Sequence, residues 1–169
     1  MSRYAAATLD VWDRRYGTAT EWVSPVPHRP IATATTTPPQ PNEVAIYVKG
    51  FARVPRWFEV AREALNVLSA LPANWNSYAA KELDVAAVTG AVQLLVGVMN
   101  DNTPLPTFVP VPNGGVLLEW HTHTIDLEVS VLPSGRMHVF YERAGQDPIE
   151  FEGLPQEKIG QLKGLIQGI

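Results

Sequence analysis

The residues with the clearest chemical potential lie in one short run, Glu119-Trp120-His121-Thr122-His123. If a strand continued through this run, Glu119, His121 and His123 would point to the same side, because side chains alternate along a strand. One carboxylate and two imidazoles could hold Zn²⁺ or a non-haem metal with an open position. The same run also stands where an antiparallel meander must turn, and polar residues at a hairpin tip need no function. The solvated turn is the preferred interpretation, and the metal site is the alternative.

A second group of candidates consists of three carboxylates, Glu119, Asp126 and Glu128. On neighbouring strands they would lie close together and could act as a paired acid and base. Outward carboxylates are also common on a half-exposed sheet, where they discourage its edge strands from pairing with other chains. The favoured functional interpretation is an acidic face that docks on a basic surface of a partner protein.

Several catalytic classes are excluded by what the sequence lacks. There are no cysteines, which removes disulfides, thiolate nucleophiles and cysteine-based zinc or iron–sulfur sites. No Gly-x-Ser-x-Gly elbow, phosphate-binding Gly-x-x-x-x-Gly-Lys loop or Gly-x-Gly-x-x-Gly fingerprint is present. We therefore expect a protein that is not an enzyme and that uses no cofactor.

Composition indicates an acidic globular chain. The 169 residues include 46% hydrophobic residues, and 13 basic against 17 acidic residues give a formal net charge of −4. This balance argues against a general nucleic-acid binder. No apolar run reaches about 18 residues, and the first residues lack a signal-peptide pattern, so no membrane partner is expected. Together with the absence of cysteine, this predicts a cytoplasmic location.

Two compositions meet near residue 42. Residues 1–42 combine Trp12, Tyr16 and Trp22 with six prolines and a Thr-rich run, which predicts an extended arm. Trp and Tyr are efficient interface anchors, so these three aromatic residues are predicted to bind a partner, with docking onto the chain's own body as the alternative. Residues 43–169 are predicted to form the α+β domain.

The body alternates between helical and strand periodicity. An antiparallel β-meander with helices packed on one face is the predicted architecture. The expected helices begin at Pro55, after the N-cap Asp84, and at Pro155. The expected strands are 44–48, 116–120, 125–131, 137–141 and, at one edge, 149–151.

Two motifs resemble a group of small, uncharacterised bacterial proteins. The run 71–80, Leu-Pro-Ala-Asn-Trp-Asn-Ser-Tyr-Ala-Ala, is similar to "Leu-Pro" followed by "Asn-Trp-Asp-Gly-Tyr-Gly-Ala". The run 110–120 is similar to "Pro-x-Val-x-Pro-x-x-Gly-Gly-x-x-x-Glu-Trp", and a Leu-Glu pair follows at 127–128. The resemblance covers roughly residues 68–141 and implies a shared α+β core and a prokaryotic or phage origin. It implies no activity.

The first motif departs from that pattern at Asn76, Ser77 and Ala79, where Asp, Gly and Gly are usual. From the residues alone, Trp75 and Tyr78 are predicted to fill the junction between helix and sheet. The neighbouring asparagines, Asn74 among them, are predicted to satisfy the backbone of the loop.

The expected function is a non-catalytic interaction factor: an accessory subunit, an antitoxin-like neutraliser, or a phage- or defence-associated protein. It would dock onto another protein through the acidic sheet face and through the extended arm of residues 1–42, which we call the aromatic arm. The alternatives are a small metal-dependent enzyme that uses Glu119, His121 and His123, and a homo-oligomeric structural protein.

Overall fold

The computed structural model describes residues 8–12, 45–49 and 54–169, with side chains described for the last range. The elements in chain order are β1 (Thr8–Trp12), β2 (Ala45–Lys49), α1 (Arg56–Ser69), α2 (Val85–Val98), β3 (Thr107–Pro110), β4 (Val116–His121), β5 (Ile125–Val131), β6 (Met137–Arg143), β7 (Ile149–Gly153) and α3 (Pro155–Ile166). β1 and β2 form an antiparallel pair, and β3 to β7 form a five-stranded antiparallel sheet in chain order. The predicted α+β meander is confirmed.

The core lies between one face of the five-stranded sheet and the helices. Alternate positions of β4, β5 and β6 are buried, as the period of two in the sequence requires. Trp57, Leu65 and Leu95 represent the buried helix residues that join the same cluster. Gly97 allows a close approach of α2 and α3, because a Cβ there would lie 2.5 Å from Cδ1 of Ile159.

Strand β3 is an element that the sequence does not predict. Its four residues end in Pro110 and follow Pro104 and Pro106, and prolines at this density favour an irregular segment. Proline is tolerated at a sheet edge, where its missing N–H leaves no ladder bond unmade, and β3 is an edge strand. The buried indole of Trp120 donates a hydrogen bond to the carbonyl oxygen of Pro104 at 2.8 Å and ties this segment to the sheet.

The aromatic arm is described only at β1, whose backbone pairs with β2 and places Trp12 opposite Ala45. Tyr16 and Trp22 lie outside the described residues, and the domain boundary after residue 42 stays a prediction. Within the described part of the chain, no helix combines the length and the apolar character that crossing a bilayer requires.

Candidate functional site

The outward face of the five-stranded sheet carries a concentration of carboxylates. Register and alternation place six of them there, on β4 to β7, and we call this surface the acidic face: Glu119, Asp126, Glu128, Glu142, Glu150 and Glu152. At the outward positions of these strands the sequence has no lysine or arginine. The three acidic residues singled out by the sequence, Glu119, Asp126 and Glu128, therefore share one surface.

Two pairs of carboxylates on the acidic face stand directly opposite each other on adjacent strands. Glu119 is the register partner of Glu128, and Asp126 is the register partner of Glu142. Like charges directly opposite each other destabilise a sheet by about 0.2–1 kcal/mol per pair. A surface selected only for solubility would mix positive and negative side chains. The acidic face therefore carries a charge repulsion that lowers stability and that folding does not require.

His121 lies at one end of the acidic face between two carboxylates. Its Nδ1 is 2.8 Å from Oδ1 of Asp126, and its Nε2 is 3.8 Å from Oε2 of Glu119. The hydrogen bond to Asp126 raises the pKa of His121 above its usual 6.5, and the nearby charges of Asp126, Glu119 and Glu128 act in the same direction. Protonation of this imidazole would partly neutralise its end of the face.

The metal-site alternative needs the alternation of the strand to continue through His123, and the strand ends before that residue. β4 ends at His121, and the N–H of Thr122 donates to the carbonyl oxygen of Ile125 at 2.8 Å to close the turn. His123 is an exposed residue of that turn. Residues 122–124 therefore form the turn between β4 and β5, whereas Glu119 and His121 belong to β4. A search of the described residues finds no cluster of three or more His, Cys, Asp or Glu side chains suited to a metal.

A second exposed feature lies in the connection between α1 and α2, at residues 74–80, which we call the Tyr78 loop. Two asparagine side chains organise it. Oδ1 of Asn74 accepts from the N–H of Ala79 at 2.8 Å. Oδ1 of Asn76 accepts from the N–H groups of Tyr78 and Ala80, at 2.8 and 3.2 Å. The prediction that these asparagines satisfy the loop backbone is confirmed.

Three residues of the Tyr78 loop have left-handed backbone conformations although none is glycine. The φ angles are 62° at Asn74, 64° at Ser77 and 59° at Ala79. Asparagine tolerates this region, but a residue such as alanine loses about 1–2 kcal/mol there. In the pattern that the chain resembles, Ser77 and Ala79 are the two positions occupied by glycine. Strain of this kind persists only where the surrounding contacts impose it.

The loop is fastened to the sheet at its C-terminal side. The indole N–H of Trp75 donates to the carbonyl oxygen of Lys81 at 3.3 Å, and the N–H of Lys81 donates to Pro112 at 2.8 Å. The N–H of Asp84 then donates to the carbonyl oxygen of Gly114 at 2.8 Å. The loop is therefore held against the turn between β3 and β4.

The prediction that Tyr78 fills the junction between helix and sheet is wrong. The side chain is 87% exposed, more than any other large apolar side chain among residues 54–169, whereas Trp75 is half-buried. The hydrogen bonds to Asn76 turn the backbone so that Tyr78 points outward. Closely spaced asparagines were the available signal, because Asn is enriched in left-handed turns.

Two clefts formed by described residues contain none of the site residues that the sequence predicts. One, of about 550 Å³, lies between the start of α1 and residues 100–105, and Asp101 is its one carboxylate. Another lies at the starts of α2 and α3, where Asp84 already caps α2 through the N–H of Ala86. Neither cleft brings together the paired acid and base that the catalytic interpretation requires.

Comparison with protein-family models, with curated proteins and with solved structures finds no significant match to this chain. The two exposed surfaces, the acidic face and the Tyr78 loop, are therefore the basis for any functional argument.

Proposed function

We propose that this chain is a non-catalytic protein-interaction factor that docks its acidic face on a basic surface of a partner protein. The observation that carries the proposal is the like-charge pairing of Glu119 with Glu128 and of Asp126 with Glu142. Both pairs oppose folding, and both are relieved when lysine or arginine side chains of a partner lie over the face.

The arrangement of the sheet supports the same conclusion. Helices cover one side of the sheet. On the other side, no helix among residues 54–169 packs over β4, β5 and β6, and Leu117 and Phe140 are half-buried among the carboxylates. A charged surface with apolar side chains at its centre suits a protein interface, since interfaces combine an apolar centre with a polar rim. The acidic character also disfavours nucleic acid as the partner.

The biological role that fits this proposal is an accessory subunit, an antitoxin-like neutraliser or a phage- or defence-associated factor, in the cytoplasm. The absence of cysteine supports the cytoplasmic part. A homo-oligomer that pairs two acidic faces is disfavoured, because it would bring twelve carboxylates together with no lysine or arginine at the outward positions of β4 to β7 to compensate them.

The aromatic arm forms a separate part of the proposal, in which Trp12, Tyr16 and Trp22 add contacts to the partner. Deleting residues 1–42 would also remove the strand that pairs with β2, so substitution tests the arm more cleanly than deletion. We expect Tyr16→Ala with Trp22→Ala to weaken association. Unchanged binding by the double variant would remove the arm from the interface.

The acidic face is tested by matched charge changes. The full chain is purified gently from the cells that encode it, and the chain recovered with it is identified and titrated over a range of salt. We expect Glu119→Gln with Glu128→Gln to weaken binding about tenfold or more and to flatten its salt dependence. Glu63→Gln with Asp101→Asn removes the same charge from exposed positions on α1 and just after α2, on the helix side of the sheet, and should leave binding unchanged. Equal effects of the two double variants, or a chain that is always recovered alone, would contradict the proposal.

A further inference from the structure

The Tyr78 loop combines the features of a preformed anchor. Residues 70–80 contain no charged side chain, although the chain as a whole is acidic. Around the exposed Tyr78, the neighbouring side chains of Pro72, Ala73 and Ala79 are also exposed. The loop thus forms a small uncharged projection, and the central residues of protein interfaces are depleted in charge in the same way.

The position of Tyr78 is determined by the backbone beneath it. Asn76 accepts hydrogen bonds from the N–H groups on both sides of the left-handed Ala79, at Tyr78 and Ala80. The N–H of Asn74 donates to the carbonyl oxygen of Ala80 at 2.6 Å and closes the loop. A side chain presented from such a framework loses little conformational freedom on binding, which favours affinity.

We propose that the Tyr78 loop inserts the Tyr78 side chain into an apolar pocket of a protein partner, as a second contact distinct from the acidic face. The pocket would enclose the phenol ring and offer a polar group to its hydroxyl at the rim. Tyrosine is among the residues that most often dominate binding energy at interfaces, and it does so from desolvated pockets of this kind.

A protein partner accounts for the loop better than a nucleic acid does. Stacking on a base would need cations nearby to hold the phosphate backbone, and Lys81 is the one lysine or arginine between 63 and 135. The chain's net charge of −4 opposes such an approach. The inference rests on the proposed function only in requiring a protein partner, since it does not require the acidic face.

The first test places a photo-crosslinking amino acid, p-benzoylphenylalanine, at position 78 of the full chain in the cells that encode it. The matched control carries the same probe at Ile149, an exposed apolar residue of β7. We expect position 78 to yield one predominant adduct that maps to apolar residues of a single chain, and position 149 to yield none at that site. The same adducts from both positions would overturn the inference.

The second test uses the chain identified in this way as a purified probe. We expect Tyr78→Ala to weaken its binding about tenfold or more, and Tyr78→Phe to weaken it by a smaller factor through loss of the hydroxyl contact. Ile149→Ala should leave binding unchanged. Thermal unfolding of the Tyr78→Ala chain should match that of the original, because the side chain is 87% exposed. A marked fall in its melting temperature would make Tyr78 a structural residue and would overturn the inference.

Salt separates this inference from the proposed function. At about 1 M salt the Debye length is about 3 Å, so contacts of the acidic face are screened while an apolar pocket still binds. The effect of Tyr78→Ala should persist there, whereas the effect of the Glu119 and Glu128 substitutions should vanish. If Tyr78→Ala changes nothing at either salt and the glutamate substitutions still act, the acidic face stands and the anchor is refuted.

Discussion

The acidic face and the Tyr78 loop both carry unfavourable features, but the structure retains them by different means. On the acidic face the backbone is a regular ladder, and the cost lies in like charges set opposite each other. In the loop the side chains are uncharged, and the cost lies in left-handed backbone at Ser77 and Ala79. The face is held by the whole sheet, whereas the loop is held by a few hydrogen bonds. Local substitutions should therefore affect the two regions very differently.

The largest effect is expected where the loop meets the sheet, at Gly114. Its φ of +93° suits glycine, and a Cβ there would lie 2.9 Å from the carbonyl oxygen of Glu82. We expect Gly114→Ala to lower the free energy of unfolding by about 2–4 kcal/mol, from backbone strain and a clash with backbone. Urea denaturation measures the change.

Gly135 provides the matched control for that substitution. Its φ is +75°, and a Cβ there would have no neighbour within 4 Å. Gly135→Ala should therefore lose only the conformational part, about 1 kcal/mol. If both variants lose the same free energy, the close approach at Glu82 contributes nothing, and the proposed fastening of the loop at Gly114 is weaker than the geometry indicates.

The next largest effect is expected inside the loop, at Asn76. Asn76→Ala removes the acceptor of the N–H groups of Tyr78 and Ala80 and should cost about 1–2 kcal/mol. Asn76→Asp keeps an acceptor oxygen in place and should stay within about 0.5 kcal/mol of the original. Denaturation of the two variants compares them directly. An equal loss in both would mean that the amide nitrogen, and not Oδ1, organises the loop.

Relieving the loop backbone should stabilise the protein. Ala79→Gly removes the left-handed strain at φ 59° and adds freedom to the unfolded chain, with a net gain of about 0.5–1 kcal/mol. For a chain of this size that gain corresponds to a rise in melting temperature of about 1–4 °C. Ala70→Gly, at the end of α1 where φ is −82°, should instead lower the melting temperature. A fall at both positions would show that Ala79 is not strained.

These two regions also differ in how far the sequence predicts them. The acidic face follows from alternation, because Ile125 to Val131 reads as one buried and one outward series, and the sheet places its residues as expected. The conformation of the Tyr78 loop cannot be predicted from the spacing of hydrophobic residues, because the loop has no helical or strand period. The orientation of Tyr78 depends on which N–H groups Asn76 accepts hydrogen bonds from. The sequence contains two aromatic candidates for a buried position, Trp75 and Tyr78, and does not distinguish them. In the structure Trp75 is half-buried and Tyr78 is exposed.

Edge strand β3 was not predicted either, because it too depends on contacts that local sequence does not show. Its prolines are typical of irregular segments, and only the presence of β4 as a partner on one side makes a strand of Thr107–Pro110. Local propensity therefore predicts elements with strong periodicity, and tertiary contacts decide the weak ones.

On the acidic face, removing one charge of an opposed pair should raise stability. Glu128→Gln ends the repulsion with Glu119 and should increase the free energy of unfolding by about 0.2–1 kcal/mol at low salt. The gain should shrink as salt rises. The same variant is expected to bind its partner less well, so stability and binding should change in opposite directions. A loss of stability at low salt would indicate that Glu128 is held by favourable contacts.

The smallest expected effect is the pH dependence contributed by His121. Its pKa is raised in the folded protein by the hydrogen bond from its ring to Asp126, aided by the charges of Asp126, Glu119 and Glu128. A group whose folded pKa exceeds its unfolded value contributes stability that is fully present below the unfolded value of about 6.5. That contribution is lost as pH rises from about 6.5 through the raised pKa of the folded state. The loss is small, because the side chain is about half exposed to solvent.

Melting temperatures measured from pH 5.5 to about 8.5 can detect this contribution by difference. The original chain should lose stability relative to His121→Asn as pH rises through this window. Asp126→Asn keeps the imidazole but removes the charge that faces it. This variant should therefore lose less stability relative to His121→Asn over the same pH range than the original chain does.

Because a protonated His121 also neutralises part of the acidic face, binding of a basic partner should strengthen over the same pH rise in the original chain and not in His121→Asn. Parallel profiles for all three proteins would place His121 outside both the stability and the electrostatics of the face, and the acidic face would then act through its carboxylates alone.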